Sequence, residues 1–371
     1  MKKHILPVII LTVMTIVTLG CGGHGADDYI IVGGDTPIIP SDDSGENTPK
    51  KKVLWKGSGT VEDPYLVPDA DHLDDIRNKS MSACYKQTAH INLSKFDNGN
   101  YWQPIGDRSC DFTGKYDGNG YRIVGFFVKS DDIFSGLFGG IEGAEINNLI
   151  IEGAKVVGTS CVGIFVGRAN GNSIIRNCYA LNSTVIGFMG CGGIVGQVRG
   201  SKIINCRVSE SDVSGNSGIG GIVGECIDEG YDSVVDNCYV NDSKVNGSES
   251  VGAIVGCVRK SSFVCNCFAC GDMIVKWAKL SSETDGLVGT INRATLKSCF
   301  YWKDGYKQGT TTDWTDWDTS IWNIPSTVPC LPTLRMEQEP PSEEWYHETG
   351  KEKPKEPGQQ PVQQPQPQSQ P

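Results

Sequence analysis

Histidine is scarce in this chain. The five copies are His4, His24, His72, His90 and His347 among 371 residues. None opens the HExxH phrase that sets two ligands and a base on one helix face, which excludes a zinc peptidase centre of that kind. Nucleophilic Ser or Cys chemistry also needs a His base. Only His72 and His90 fall where the chain can fold, and both read as surface or capping residues. Positive charge is short as well: 33 Lys and Arg against 44 Asp and Glu leave a net charge of −11. The one basic run, Lys50-Lys51-Lys52, sits in a polar linker, so a nucleic-acid partner is not expected. No Gly-rich phrase has the spacing of a phosphate cradle. Amphipathic helical periodicity is missing too, which excludes helical repeat arrays. The longest apolar run, residues 5–19, falls short of the ~20 residues a membrane span requires.

What the chain does have is glycine, 46 residues of it, and recurrence. A six-residue phrase reads FSGLFG, VGIFVG, CGGIVG, IGGIVG, VGAIVG and TDGLVG, closing at Gly139, Gly167, Gly196, Gly224, Gly256 and Gly289. A second phrase is centred on Asn148, Asn177, Asn205, Asn237, Asn266 and Ser298, the last five each followed by Cys. From Asn to the next closing Gly the interval is 19 residues four times running, whereas Gly to Asn varies between 9 and 13. One part of each unit is held to length and another accepts insertions, as in a stacked solenoid. Between them lie β-branched positions, Val156, Val185, Val213, Val245 and Ile274, with Gly158, Gly187, Gly215 and Gly247 two residues beyond the first four. Short apolar runs punctuated by Gly, Asn and Ser are strands and turns. The spacing predicts an all-β chain, a parallel β-helix (solenoid) of about six coils, three strands and three corners to a coil. It has N- and C-terminal capping segments and disordered tails. The competing arrangement is a β-sandwich with accidental repetition.

The segments divide as follows. Residues 1–20 have a basic start, an apolar core and small residues at its exit, the pattern of a secretory signal. Cys21 follows directly and resembles a bacterial lipoprotein processing site, although Thr18 stands where Leu is usual. The alternative is an ordinary signal peptide cut nearby. Asp27 and Asp28 resemble the acidic tags of lipoproteins exported to the outer leaflet. Residues 21–52 read as a flexible tether, 53–134 as an N-terminal lead-in and cap, 135–302 as the repeats and 303–335 as a closing segment. Residues 336–371 hold eight Pro and eight Gln and read as a disordered tail.

Fourteen cysteines lie beyond Cys21. Cys178, Cys206, Cys238, Cys267 and Cys299 follow the repeat Asn or Ser and should stack as a buried column, mostly reduced, since parallel side chains do not give the disulfide dihedral. Outside the array, Cys84 and Cys110 are the more plausible bridge in an exported protein. Cys265, Cys267 and Cys270, with Cys257 near them, have the density of a metal site. Cys267 already belongs to the column, however, and no metal or other cofactor is expected. Asp117-Gly118-Asn119-Gly120 resembles part of a calcium loop but lacks the later Glu; a tight hairpin explains it without metal. Glu210, Asp212, Asp228, Glu229, Asp236 and Asp242 scatter along coil corners as a solvated acidic edge and show none of the repeated pairing a glycosidase needs.

The phrases Gly136-Leu137-Phe138-Gly139 and Gly286-Leu287-Val288-Gly289 resemble the GLUG motif. GSGTVEDPYLV at residues 57–67, the short helix expected over 69–78, YWQPIGDRSCDFTGKYDGNGYRIVGF at 101–126, WDTSIWNI at 317–324 and LPTLR at 331–335 occur in that family's order. The resemblance spans about residues 57–335. It implies a β-helical bacterial surface protein, in a family whose members are mostly uncharacterised or adhesin-like. The motif also occurs in IgA-cleaving metallopeptidases, whose catalytic module this sequence lacks.

Strand alternation after the Asn corner supplies the sharpest expectation. Cys178/Ala180, Cys206/Val208, Cys238/Val240 and Cys267/Ala269 suit a narrow interior. Tyr179, Arg207, Tyr239, Phe268 and Phe300 then face outward as a column of aromatics with one Arg, suited to the apolar faces of sugar rings. The alternatives are reversed parity, giving an internal stack, or a cap or loop over the column. The functional expectation is a surface-anchored, non-enzymatic binding or adhesion lipoprotein of the outer membrane. Its partners would be the membrane, through the lipid, and glycans or cell-surface proteins. The other readings are a glycan-active enzyme and a structural surface component. If Cys21 carries the lipid, the wild-type protein fractionates with membranes and Cys21→Ser moves to the soluble extract; a wild-type protein already soluble after signal removal sinks the assignment.

Overall fold

The computed structural model describes residues 53–96, 101–227, 230–259, 261–270, 274–276, 286–303, 306–309, 322–323 and 333–334. The expected signal peptide, Cys21, the expected tether, Asp228 and Glu229, the Pro/Gln-rich segment and most of the expected closing segment lie outside these residues. The described part is a right-through β-solenoid of about 7 turns, one more than the repeat phrases suggest, because rungs form before the first phrase. Cys84–Gln87 already pairs in parallel with Lys115–Asp117, and that strand with Glu145–Asn147.

A coil has five short strands, not three. The coil that opens at Ile174–Arg176 continues through Tyr179–Leu181, Thr184–Ile186, Met189–Gly192 and Val195–Val198. We number these first to fifth. Each pairs in parallel and in register with its equivalents, so that Ile146, Ile175, Ile203, Val235 and Val264 form one interior column. Val128, Val156, Val185, Val213 and Val245 form another. In the next coil Val245 pairs with Val275 rather than Ile274. The insertion that lengthens this coil has moved the pattern by one residue. Nearly all these interior chains are inaccessible to solvent, each burial being worth about 1.5–3 kcal/mol before entropy is counted.

Three of the bends require left-handed backbone. Between first and second strands stand Asn119, Asn148, Asn177, Asn205, Asn237, Asn266 and Ser298, with φ from 50 to 54°. The side chains climb the stack as hydrogen-bond donors: Asn148 to Asp117 (3.0 Å), Asn177 to Asn148 (2.8 Å), Asn205 to Asn177 (3.2 Å) and Asn266 to Asp236 (2.9 Å). The DGNG segment is therefore one of these corners and not a hairpin, since its flanking strands lie in different sheets. Asn tolerates this geometry because its short amide can bond locally. Two further columns are of serine. Ser183, Ser211 and Ser243 accept a backbone N–H from the coil before, at 3.0–3.1 Å, and Ser173, Ser201 and Ser233 do the same at 3.0–3.2 Å.

The repeat glycines have a different task. Fourth and fifth strands of successive coils lie backbone against backbone. A Cβ on Gly196 would stand 2.3 Å from the carbonyl carbon of Cys161, and one on Gly224 2.5 Å from backbone atoms of Gly190 and Cys191. No side chain fits there, so the phrase keeps its Gly and the segment keeps its length. The insertions that vary the Gly-to-Asn interval fall between fifth and first strands, as between Val223–Cys226 and Val234–Asp236.

The helix Ala70–Lys79 closes the N-terminal end. Asp69 caps it, accepting from the amides of Asp71 and His72, and His72 Nδ1 also contacts Asp69 at 2.7 Å. Leu73 and Ile76 join the core with Val67 and Tyr85. Arg77 lies over the Trp102 ring at 4.5 Å.

Gly224→Ala forces a backbone shift and should cost about 1–3 kcal/mol. Asn205→Leu, which loses both the stacked bond and the residue type suited to its backbone, should cost about as much. Replacing exposed Lys202 or tail residue Gln364 by Ala should stay within about 0.5 kcal/mol. Denaturant midpoints check the ranking, and equal midpoints for all four would refute the packing and ladder roles.

Candidate functional site

The expected aromatic column has the expected parity but not the expected exposure. Cys178, Ala180, Cys206, Val208, Cys238, Val240, Cys267 and Ala269 all sit at 0% exposure in the interior core. Tyr179, Tyr239 and Phe268 lie outside that core cluster, on the other side of the strand, yet are only 6, 4 and 0% exposed. The rung spacing is the reason. At ~4.8 Å between rungs, flat rings in register stack on one another. Tyr239 and Phe268 are 5.5 Å apart and tilted by only 7°, and Arg207 lies over Tyr239 at 5.6 Å. The faces a sugar would need are occupied by neighbouring residues.

The adjacent column locks the face further. Arg122 pairs with Glu152 at 2.6 Å with both side chains buried, Arg207 donates to Ser209 at 2.6 Å, and Tyr239 meets the Cys270 thiol at 3.2 Å. Burial and Cys270 together push the Tyr239 hydroxyl well up. Phe300 pairs with Phe268 through the backbone, and its side chain is outside the described residues.

The thiols do not gather. Cys84 carries a free thiol, so the expected bridge to Cys110 is not formed. Cys84 lies in the first-strand ladder, whereas Cys110 follows the turn at Asp107 and leads into Phe112, which bridges to Ile141 on the fifth. Cys265, Cys267, Cys270 and Cys257 point to different faces: Cys267 is interior, Cys270 is on the outer side of the second strand, and Cys257 is in register with Glu225 on the fifth. In the stacked column, Cys178, Cys206, Cys238 and Cys267 remain free thiols. Each Sγ approaches the carbonyl two residues back at 3.0–3.3 Å. Burial pushes Cys178, Cys238 and Cys267 well up, Cys191 to about 12 and Cys161 to about 11. Such thiols are poor nucleophiles. His90 is lowered by burial and by Arg122 and accepts the Arg122 amide at 3.0 Å, a capping role.

The surface that is available lies at the bend between third and fourth strands. Thr159, Phe188, Asn216 and Ser248 occupy it in successive coils. Each carbonyl of the first three accepts two amides from the next coil: Thr159 from Phe188 and Met189 (2.9 and 3.2 Å), Phe188 from Asn216 and Ser217 (2.8 and 3.2 Å), Asn216 from Ser248 and Glu249 (2.8 and 2.9 Å). These backbone bonds hold the bend from coil to coil without using the Phe188 side chain. Phe188 is 64% exposed, with Met189 at 45% and Ile186 at 40% beside it. Toward the N-terminal end, Thr159 Oγ1 donates to the carbonyl of Asp132 at 3.3 Å, where a groove of about 210 Å³ opens between Asp107, Arg108, Ser109, Asp131, Asp132, Ile133 and Phe134. Asp107 is shaped by its own turn, accepting the amides of Ser109 and Cys110 at 2.7 and 3.0 Å. Arg168 covers the Phe134 ring at 4.0 Å and pairs with Asp111 at 3.2 Å. The sequence offered one signal for this place, the apolar Ile186 and Phe188-Met189 around Gly187, which period-based reading passes over because one coil alone carries them.

No family model matches the chain. A protein of Evansella cellulosilytica named "Putative Gly-rich membrane protein" is 38% identical over 126 residues, 33% of this chain and 14% of that protein. "Halomucin" of Haloquadratum walsbyi is 30% identical over 164 residues, 41% of this chain and 2% of that protein. The chain thus spans a small part of the length of these relatives. Among solved structures, one named a putative immunoglobulin A1 protease, from Bacteroides ovatus, superposes with a TM-score of 0.56 at 19% identity, covering 76% of this chain and 95% of that one. This likeness is one of fold: the chain is a β-solenoid repeat protein.

Replacing Tyr179, Tyr239 and Phe268 together by Ala should lower the melting temperature strongly, because large buried rings are lost. An unchanged melting temperature with lost ligand binding would restore the exposed-stripe reading.

Proposed function

We propose that this protein is a surface-displayed, non-enzymatic binding or adhesion lipoprotein of the GLUG type, held at the outer membrane through Cys21 and recognising glycans or cell-surface molecules. The observation that carries this reading is the third-to-fourth bend. There a rigid, backbone-bonded corner presents apolar side chains to solvent beside a groove walled by carboxylates, and exposed apolar patches of this kind mark interaction sites. Burial pushes the Cys161, Cys178, Cys191, Cys238 and Cys267 thiols up, away from nucleophilic character, and His90 accepts a backbone amide. The name of the Evansella relative, a membrane protein, agrees with the anchoring assignment.

A second reading, a glycan-active enzyme, draws on Glu210 and Asp242. They occupy equivalent corner positions of adjacent coils with φ of 50 and 47°, and burial followed by the Asp242 charge raises the Glu210 carboxyl, the kind of offset an acid–base pair uses. Incubating the purified protein with host and plant glycans and with intact cells separates the two. Retention without cleavage products is the outcome expected of a binding protein. Cleavage that disappears in Glu210→Gln would overturn it.

A further inference from the structure

The same bend, taken as the binding site just proposed, also says something about the partner. Its chemistry is divided along the stack. At one end Asp107, Asp131 and Asp132 line the groove together with one cation, Arg108. Nearby Lys129 is turned toward the Tyr101 ring, at 5.8 Å. Two rungs away, roughly 10 Å at strand spacing, stand Ile186, Phe188 and Met189, 40–64% exposed. The connection between the two ends is rigid, running through the Thr159 hydroxyl to Asp132 and the Thr159 carbonyl to Phe188 and Met189.

We infer that this corner docks a protein segment carrying a basic side chain about 10 Å from an apolar one, the distance of two rungs at strand spacing. Charge complementarity decides the sign. The groove has three carboxylates to one guanidinium, in a chain of net charge −11, so a cation is drawn in and an acidic segment is repelled. The ridge decides the rest. Phe188 and Met189 offer large, adaptable apolar contacts, and a neutral or acidic glycan supplies no cation for the groove. This inference rests on the binding reading and selects a peptide over a sugar as ligand.

The test uses the purified full-length protein and three immobilised peptides: repeated Lys-Leu pairs, repeated Glu-Leu pairs and repeated Lys-Ser pairs. Lys-Leu should bind, more weakly as salt rises, and the other two should not. Phe188→Ala should weaken binding about tenfold, and the double change Asp131→Asn, Asp132→Asn should do likewise. Both sites are exposed, so melting temperatures should match wild type, which confirms that the variants fold. Equal binding to Glu-Leu, or binding that ignores both variants, overturns the inference. So does a glycan whose retention depends on Phe188, or self-association in sedimentation that Phe188→Ala abolishes. Cell binding that persists undiminished in Phe188→Ala overturns this surface while leaving the adhesion reading standing. If the wild-type protein retains no cell, glycan or peptide, both fail.

Discussion

The close approach of fourth and fifth strands governs this molecule. Where Gly196 faces Cys161 and Gly224 faces Gly190 and Cys191, two backbones meet without room for a methyl group. This contact joins strands from successive coils, so it sets how one turn sits on the next as well as the path within a turn. Everything upstream in the coil has to deliver the glycine to that point, which is why the Asn-to-Gly segment keeps its length. Between fifth and first strands, released from this condition, the earlier coils take their extra residues, whereas the coil of Ile274–Lys276 takes them between Asn266 and Gly289.

Around that contact the remaining polar demands are met by repetition. A solenoid corner leaves amides and carbonyls that a single coil cannot satisfy. The two serine columns answer amides of this kind, each Ser accepting one from the coil before, while the asparagine column links its own side chains from rung to rung. The interior thiols fit the same scheme: small enough for a narrow core and polarisable enough to sit against carbonyl oxygen. The ion pair of Arg122 and Glu152 is the exception, a buried pair on the outer side of the second strand; breaking such a pair from one side costs more than the pair contributes.

The repeats made the stacking and its register legible because stacking multiplies one local rule by the number of coils. The Asn corner and the inward Cys were read correctly for that reason. Strand count was not: Met189–Gly192 and Val195–Val198, for one, are joined by Gly193-Ile194 alone and look, as sequence, like one apolar run. The expected pair Cys84 and Cys110 failed because spacing along the chain says little about which side of a coil a residue reaches. Tyr179, Tyr239 and Phe268 were assigned the right side of the strand and the wrong accessibility. Alternation is a property of one strand, while exposure depends on what lies on the rung above. The docking corner was the least legible part, since Phe188 and Met189 occur once and the groove is assembled from two segments more than 20 residues apart.

At the third-to-fourth bend the chain holds Thr159, Phe188, Asn216 and Ser248 in one register position: a hydroxyl, an aromatic ring, an amide and a second hydroxyl. The same pair of backbone bonds secures each step. Architecture and vocabulary are thereby uncoupled. Selection can rewrite this column one letter at a time, trying a new chemistry in one coil, without any change to the grammar that keeps the coils stacked.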